Sequence, residues 1–203
     1  MKIHHPVGRS GALWLRDRRQ LATKGRDLLA QKRMVLSLER ERLAAVAERA
    51  QADWRRAYAS LDVWMTRAMV LGGPEQVFHV PVRPARVTIR ERSAFGVTYP
   101  SDIQVAAEPA ATLAGGGSSA LDIAAEHSVT AVRAGVELAA AQTALRRLEN
   151  ELRSTTRRVR AIERRWMPAL IKAQAGLELQ LEEKEREELV RAAWARTQIE
   201  GHR

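Results

Sequence analysis

The residues best suited to chemistry in this sequence are few, and their spacing argues against a catalytic site. Gly115-Gly116-Gly117-Ser118-Ser119 comes closest to a phosphate-cradling loop. A P-loop needs a Lys directly before its Ser or Thr and a buried strand leading into it. Neither is present, so the stretch reads as a linker. The histidines, His4, His5, His79, His127 and His202, are scattered. No two stand one helical turn apart with the Glu that a metalloprotease site requires. Cysteine is absent, which removes disulfide frameworks and thiolate zinc sites. No spacing of Ser, His and Asp points to a nucleophilic triad. The sequence therefore assigns no catalytic, cofactor-binding or metal-binding residue.

Charge is what the chain carries instead. Over 203 residues the formal net charge is +10. Residues 1–70 hold 15 Lys/Arg against 7 Asp/Glu, and residues 121–203 hold 15 against 13. The basic excess thus sits in the first third. Such a stripe attracts nucleic acid, an anionic membrane surface or an acidic protein face, and charge alone does not choose among them. No stretch approaches the roughly 20 apolar residues needed to span a bilayer, and Met1-Lys2-Ile3-His4-His5-Pro6 does not resemble a signal peptide. The expectation is a soluble, intracellular chain, compatible with membership of a membrane-attached complex.

The elements that position these charges are long helices. Aromatics make up 4% of the residues while hydrophobics reach 45%, largely Ala and Leu, which is the composition of coiled coil rather than of a compact globule. A helix is predicted from Ser10, a plausible N-cap, to Leu71, where Gly72-Gly73-Pro74 stops it. Residues 72–120 change character. Val77–Val82, Val87–Arg90 and Ala94–Tyr99 read as a small β-hairpin or extended knob. An Ala-, Gly- and Ser-rich linker follows from Ala106 to Ser119. A second helix is predicted from Leu121 to Gln198, with Ser119 and Asp122 as a capping-box-like start.

Leu138, Leu145, Leu152, Val159, Trp166 and Ala173, with the companions Ala141, Leu148, Thr155, Ile162, Ala169 and Gly176, form an apolar seam of period 3.5. In the first helix Trp14, Leu21, Leu28 and Val35 make one series. Leu36, Leu43, Ala50 and Ala57 make another offset by one, which suggests a slip near Val35-Leu36. Two such runs flanking a turn region fold back as an antiparallel hairpin, bringing residues near Leu28 to those near Ala173. Parallel homodimerisation is the competing geometry, disfavoured by the insert. The fold class is thus mainly α: a long antiparallel two-helix coiled coil, residues 1–71 and 121–203, with a β-hairpin and linker insert at 72–120. Gly25 and Pro168 break helix rules, at about 1 and 3 kcal/mol respectively. Each is either a tolerated surface defect or a level at which the coil bends or is closely approached.

Three motifs in order give these helices a resemblance. Lys24-Gly25-Arg26-Asp27-Leu28-Leu29-Ala30-Gln31-Lys32-Arg33 lies on the first helix. Thr156-Arg157-Arg158-Val159-Arg160-Ala161-Ile162-Glu163 is followed by Met167-Pro168-Ala169-Leu170, and Leu181-Glu182-Glu183-Lys184-Glu185-Arg186-Glu187-Glu188 completes the set. Together they resemble the D-subunit family of V/A-type rotary ATPases and ATP synthases. Arg160 stands where that family favours Asn, and Glu182 where it favours Asp. The match covers both helices, and the insert resembles the family only in placement and general character.

The resemblance implies a non-catalytic central-stalk rotor without cofactor. It would couple ATP hydrolysis or synthesis in the head to ion translocation through the membrane ring. Implied partners are the catalytic A and non-catalytic B subunits of the head, the F subunit of the stalk and the C (d-type) subunit on the membrane ring. Implied contacts with the head ring are Lys24, Gly25, Arg26, Lys32, Arg33, Arg157, Arg158, Pro168, Glu182, Glu183, Glu185 and Arg186. Residues near 15–35 and 165–200 would face the head, and residues near 60–140 the F subunit and the membrane side. The chain would sit peripherally on the cytoplasmic side, with neither membrane insertion nor nucleic-acid binding.

Blander readings stand beside these. Arg157, Arg158, Arg160, Arg164 and Arg165 fit a solvated helix face. The acidic run from Glu182 to Glu188 is either solvated or paired with the basic start of the first helix. The tryptophans are more often coil or partner anchors than base-stacking platforms, and Trp14 and Trp166 lie on seam series. A basic nucleic-acid-binding coiled coil, or a scaffold, is the alternative function. The interspersed signs and the absence of an aromatic–basic module weigh against the first.

Overall fold

The computed structural model describes residues 3–78, 80, 84–109 and 118–200. Its elements are α1 (Arg9–Gly72), the short α2 (Pro74–Phe78), β1 (Arg86–Ala94), β2 (Val97–Ala106), α3 (Ser119–Ala161), a π-turn (Ile162–Trp166) and α4 (Met167–Glu200). The protein is mainly α, with one small antiparallel sheet, as the sequence predicts. The helix ends differ in detail. Gly8, with φ +81°, and not Ser10, occupies the N-cap position of α1: its carbonyl accepts from the Gly11 and Ala12 N–H groups. The Ser10 hydroxyl donates instead to the Val7 carbonyl. At the other end Gly73 takes φ +78° and its N–H bonds to Met69 O, the left-handed stop expected there. The start of α3 is capped by the Ser118 carbonyl, with Ser119 already helical.

The chain divides into two compact units, residues 1–33 with 154–203 and residues 34–153. In the first, Leu15, Leu170 and Leu177 are buried together, with Ile3, Ala22, Ala173 and Leu181 around them. Arg19 bonds Gln174 and Arg9 bonds Glu185, so numbers rise on one helix as they fall on the other and the pairing is antiparallel. Ala173 lies level with Arg19. Leu28 is therefore more than two turns away, which corrects the expected Leu28–Ala173 register.

In the second unit Arg40 meets Glu149, Trp54 lies over Gly135, Trp64 stacks on His127, and Ala68 packs with Ala120 and Leu121. This pairing is antiparallel too.

The seam of α1 also needs correction. Leu21 and Leu28 are 60% and 66% exposed. Leu15, Ala22, Leu29, Leu36, Leu43, Ala50, Ala57 and Trp64 are each buried or half-buried. The second series simply extends backward in steps of seven, and no slip occurs near Val35-Leu36. The real phase change lies on the partner helix. Through Val159 the expected seam holds, with Leu148, Thr155 and Val159 buried. After the π-turn, Leu170 and Leu177 are buried where an unbroken repeat would place Ala169 and Gly176, and Trp166 is 50% exposed. The Met167 N–H bonds to Ile162 O, five residues back. This wider loop accommodates one extra residue and rotates everything downstream. It also loosens the helix just ahead of Pro168, whose ring would otherwise press on the preceding turn.

The insert is a hairpin rather than a loose knob. β1 and β2 pair from Arg86↔Ala106 to Ala94↔Val97, with a bulge after Arg90 that leaves Ser101 unpaired. Val77 and Phe78, read from sequence as extended, belong to α2. His79, Pro81, Val82 and most of the linker (110–117) lie outside the described residues. The turn is Phe95-Gly96, with φ +54° and +79°, the two positive values of a type I′ connection. Phe is a poor choice for the first position. Phe95→Asn should stabilise the hairpin by about 1 kcal/mol, visible as slower amide exchange in β1 and β2 with an unchanged spectrum elsewhere.

Candidate partner-contact surface

The hairpin is held against its own unit by two polar clamps. Tyr99, 2% exposed, and Val97 pack with Leu36, Leu43, Ala144 and Leu148. The Tyr99 hydroxyl donates to Glu39 Oε1 at 2.9 Å. Arg42 grips the same carboxylate with Nε and Nη2, at 3.0 and 2.7 Å, the bidentate geometry that suits a guanidinium. From α3, Arg147 Nη1 donates to Glu91 at 2.8 Å and to the Thr98 carbonyl at 3.0 Å.

The hydrogen bonds from Arg42 hold the Glu39 carboxyl below its ordinary range, aided by Tyr99. Burial, with Glu39 alongside, pushes the Tyr99 phenol up. Glu39 also raises the Arg42 guanidinium, through the hydrogen bonds first. A depressed carboxyl contributes stability above its unfolded pKa, about 4.3, and that is lost as pH falls through the lower folded value. A raised phenol contributes below about 10, and that is lost as pH climbs through the higher folded value. Hairpin docking should therefore be firm from about pH 5 to 10 and loosen on both sides. Thermal unfolding across pH should show Glu39→Gln flattening the acid limb and Tyr99→Phe the alkaline one.

All twelve residues proposed from sequence to meet a head ring fall in the first unit, residues 1–33 with 154–203. They do not form one tight cluster. Lys24, Arg33, Arg157, Arg158, Pro168, Glu182, Glu183, Glu185 and Arg186 are exposed; Gly25, Arg26 and Lys32 are half-buried. Arg26 is paired with its neighbour Asp27 at 2.7 Å. Of the acidic run, Glu185 reaches Arg9 at 3.2 Å, with both side chains mostly in solvent, so this pair adds little stability. It marks the level at which α1 begins. Past it α4 continues to Glu200, and every residue from Glu182 to Arg196 is exposed, including Leu189, Val190 and Trp194 at 66–71%.

Sequence reasoning missed the apolar part of this surface. Leu21, Leu28, Ile171 and Leu179 are 50–66% exposed beside the charged motifs. The signal was their size, which for Leu21 and Leu28 was read as seam. Missed as well was the cleft of about 980 Å³ between residues 3–5 and the segment 164–180. Among the described residues, no group of three or more His, Asp and Glu side chains is placed to hold a metal, and no helix is long and apolar enough to cross a membrane.

Residues 12–197 match the family of ATP synthase D subunits. The D subunit of the V-type ATP synthase of Anaeromyxobacter sp. (strain Fw109-5) is 32% identical, over 92% of this chain and 90% of the relative. The D subunit of the A-type ATP synthase of Methanopyrus kandleri is 30% identical, over 93% of this chain and 84% of the relative. Its counterpart from Anaeromyxobacter dehalogenans (strain 2CP-C), named V-type, is 34% identical, over 90% and 91%.

Proposed function

We propose a central-stalk role from one premise: the chain belongs to the ATP synthase D-subunit family. On this reading it is a non-catalytic rotor, turning with ATP hydrolysis or driven during synthesis, and linking the head to ion translocation. Its three segments divide the work. Residues 1–71 and 121–203 form the shaft, and residues near 60–140, which include the insert 72–120, face the F and C (d-type) subunits on the membrane side. The A and B subunits of the head contact Lys24, Gly25, Arg26, Lys32, Arg33, Arg157, Arg158, Pro168, Glu182, Glu183, Glu185 and Arg186. The assembly sits on the cytoplasmic face of its membrane, with this chain peripheral.

One observation carries the reading. Beyond the last inter-helix ion pair among the described residues, α4 runs on for 15 residues to Glu200, about 22 Å, with large apolar side chains exposed at Leu189 and Val190. A coil whose function ended in its own seam would not expose these. They suit a surrounding protein wall. A shaft transmits force only if the wall binds its faces with different free energies, and a helix carrying basic, acidic and apolar side chains at successive levels offers such asymmetry.

The test is assembly. The full chain mixed with the catalytic and non-catalytic head subunits should elute as one complex with a single copy of the chain per ring. Elution apart from the ring, with salt-sensitive retention on bulk DNA, would reverse the conclusion in favour of nucleic-acid binding.

A further inference from the structure

Residues 3–8 form a strap across α4. Gly8 turns the chain with φ +81°. Gly11 lets it lie close, since a Cβ there would stand 1.9 Å from the Pro6 carbonyl oxygen. Ile3 packs with the Leu15, Leu170 and Leu177 cluster, and His5 Nδ1 donates to Pro6 O at 2.9 Å. The strap walls one side of the 980 Å³ cleft, and Arg164, Arg165 and Lys172 line the other. Among the described residues no acidic side chain lines it, and no ion pair uses those three cations.

Its floor is apolar apart from one gap. Gly176 sits in the middle of α4, where Gly is disfavoured relative to Ala, and a Cβ added there would meet nothing within 4 Å. Packing among the described residues does not require that glycine. It opens the cleft down to the helix backbone.

We propose that this cleft receives an extended acidic segment of a head subunit, whose backbone crosses α4 over Gly176. The inference rests on the rotor reading. Charge complementarity sets the sign of the occupant: two guanidiniums and an ammonium, beside His4 and His5, share a lining with no carboxylate among the described residues. Size sets its form. From Arg164 to Gln180 the cleft follows about 24 Å of helix, the span of about seven extended residues. The apolar floor of Ala169, Ala173 and Leu177 suits a polypeptide better than a free inorganic anion. The π-turn contributes, because Arg164 and Arg165 lie within it and its phase change fixes how they are presented relative to α4.

Two variants of the full chain test this against the assembled head subunits. Gly176→Ala should raise the thermal midpoint of the isolated protein, yet weaken binding to the head roughly ten-fold, because the new methyl occupies space reserved for the partner. Arg164→Gln with Arg165→Gln and Lys172→Gln should keep the midpoint, weaken binding at least about ten-fold and flatten its salt dependence. If wild type binds the head and both variants bind with unchanged affinity and salt slope, the cleft proposal is overturned while the rotor reading stands. If wild type itself fails to bind, the rotor reading falls first. An octaglutamate peptide should compete with the head for wild type but not for the triple variant. Competition by inorganic phosphate alone would overturn the peptide assignment.

Discussion

A chain cut after Leu181 will still fold and seat on its complex, but it will move far fewer ions per ATP hydrolysed than the intact protein. The cut removes residues 182–203, and every described side chain among them, from Glu182 to Arg196, is exposed. The buried cluster of Leu15, Leu170 and Leu177 stays whole. On the rotor reading the loss is therefore of contact with the head, and the buried cluster keeps its stability. If the coupling free energy between shaft and ring drops by about 1.4 kcal/mol, the bias toward productive rotation falls about ten-fold. The ratio of ion flux to ATP turnover in reconstituted vesicles reads this directly. A deeper cut after Trp166 discards Leu170 and Leu177 as well, and should uncouple further while also lowering the thermal midpoint. Transport by the shorter chains at the intact ratio would remove the proposed role from this segment. The Leu181 cut is the sharper experiment because it leaves the buried cluster of Leu15, Leu170 and Leu177 intact.

The same separation between what folds the chain and what meets a partner explains how much the sequence revealed. Helix existence, the Gly73 stop and the antiparallel arrangement were legible, since they follow from Ala- and Leu-rich periodicity and from the Gly-Gly-Pro signal. The seam of α1 was legible only in its second half. Leu21 and Leu28 are larger than Ala22 and sit one residue away, so a size-weighted reading prefers them to the residue that packs. Periodicity measures how often apolar residues recur, and a partner-facing stripe recurs with the same period as a core stripe. Leu29 against Leu28 is a choice that sequence spacing alone cannot make.

On the second helix the repeat was right through Val159. It failed beyond the π-turn, where one added residue carries Trp166 out and Leu170 in. Pro168 was the local sign of that irregularity, though it did not fix on which side the extra residue would fall. The hairpin was recognised as a strand region, but its turn was not. Phe95-Gly96 lacks the Asn or Asp that usually marks such a turn. The clamp by Tyr99, Glu39 and Arg42 joins residues sixty apart in the chain, which no local pattern encodes. A hint was available: Val97 and Tyr99 stand two apart on β2 and face the same side, as two anchors of one packed face would.

The strongest single perturbation of the fold should be Leu148→Ala. Leu148 is fully buried, and its neighbours Leu36, Leu43, Val97, Tyr99 and Ala144 come from both helices and from the hairpin. Truncation removes three carbons from the place where these elements meet. The lost transfer free energy and the remaining cavity together should cost about 3 kcal/mol, within the 2–5 kcal/mol span of Leu→Ala changes in cores. Urea unfolding should show the loss as a lower midpoint with an unchanged slope.

Leu28→Ala is the matched control. At 66% exposure it should alter stability by less than about 0.5 kcal/mol while weakening capture of the head. The two leucines then exchange roles between assays, one decisive for folding and nearly silent in binding, the other the reverse. A large stability loss from Leu28→Ala would return Leu28 to the seam and undo the assignment of Leu29 in its place. A small loss from Leu148→Ala would mean that the hairpin collapses readily into the vacated space. In that case docking of the insert would rest on the polar clamps at Glu39 and Arg147 more than on its apolar face.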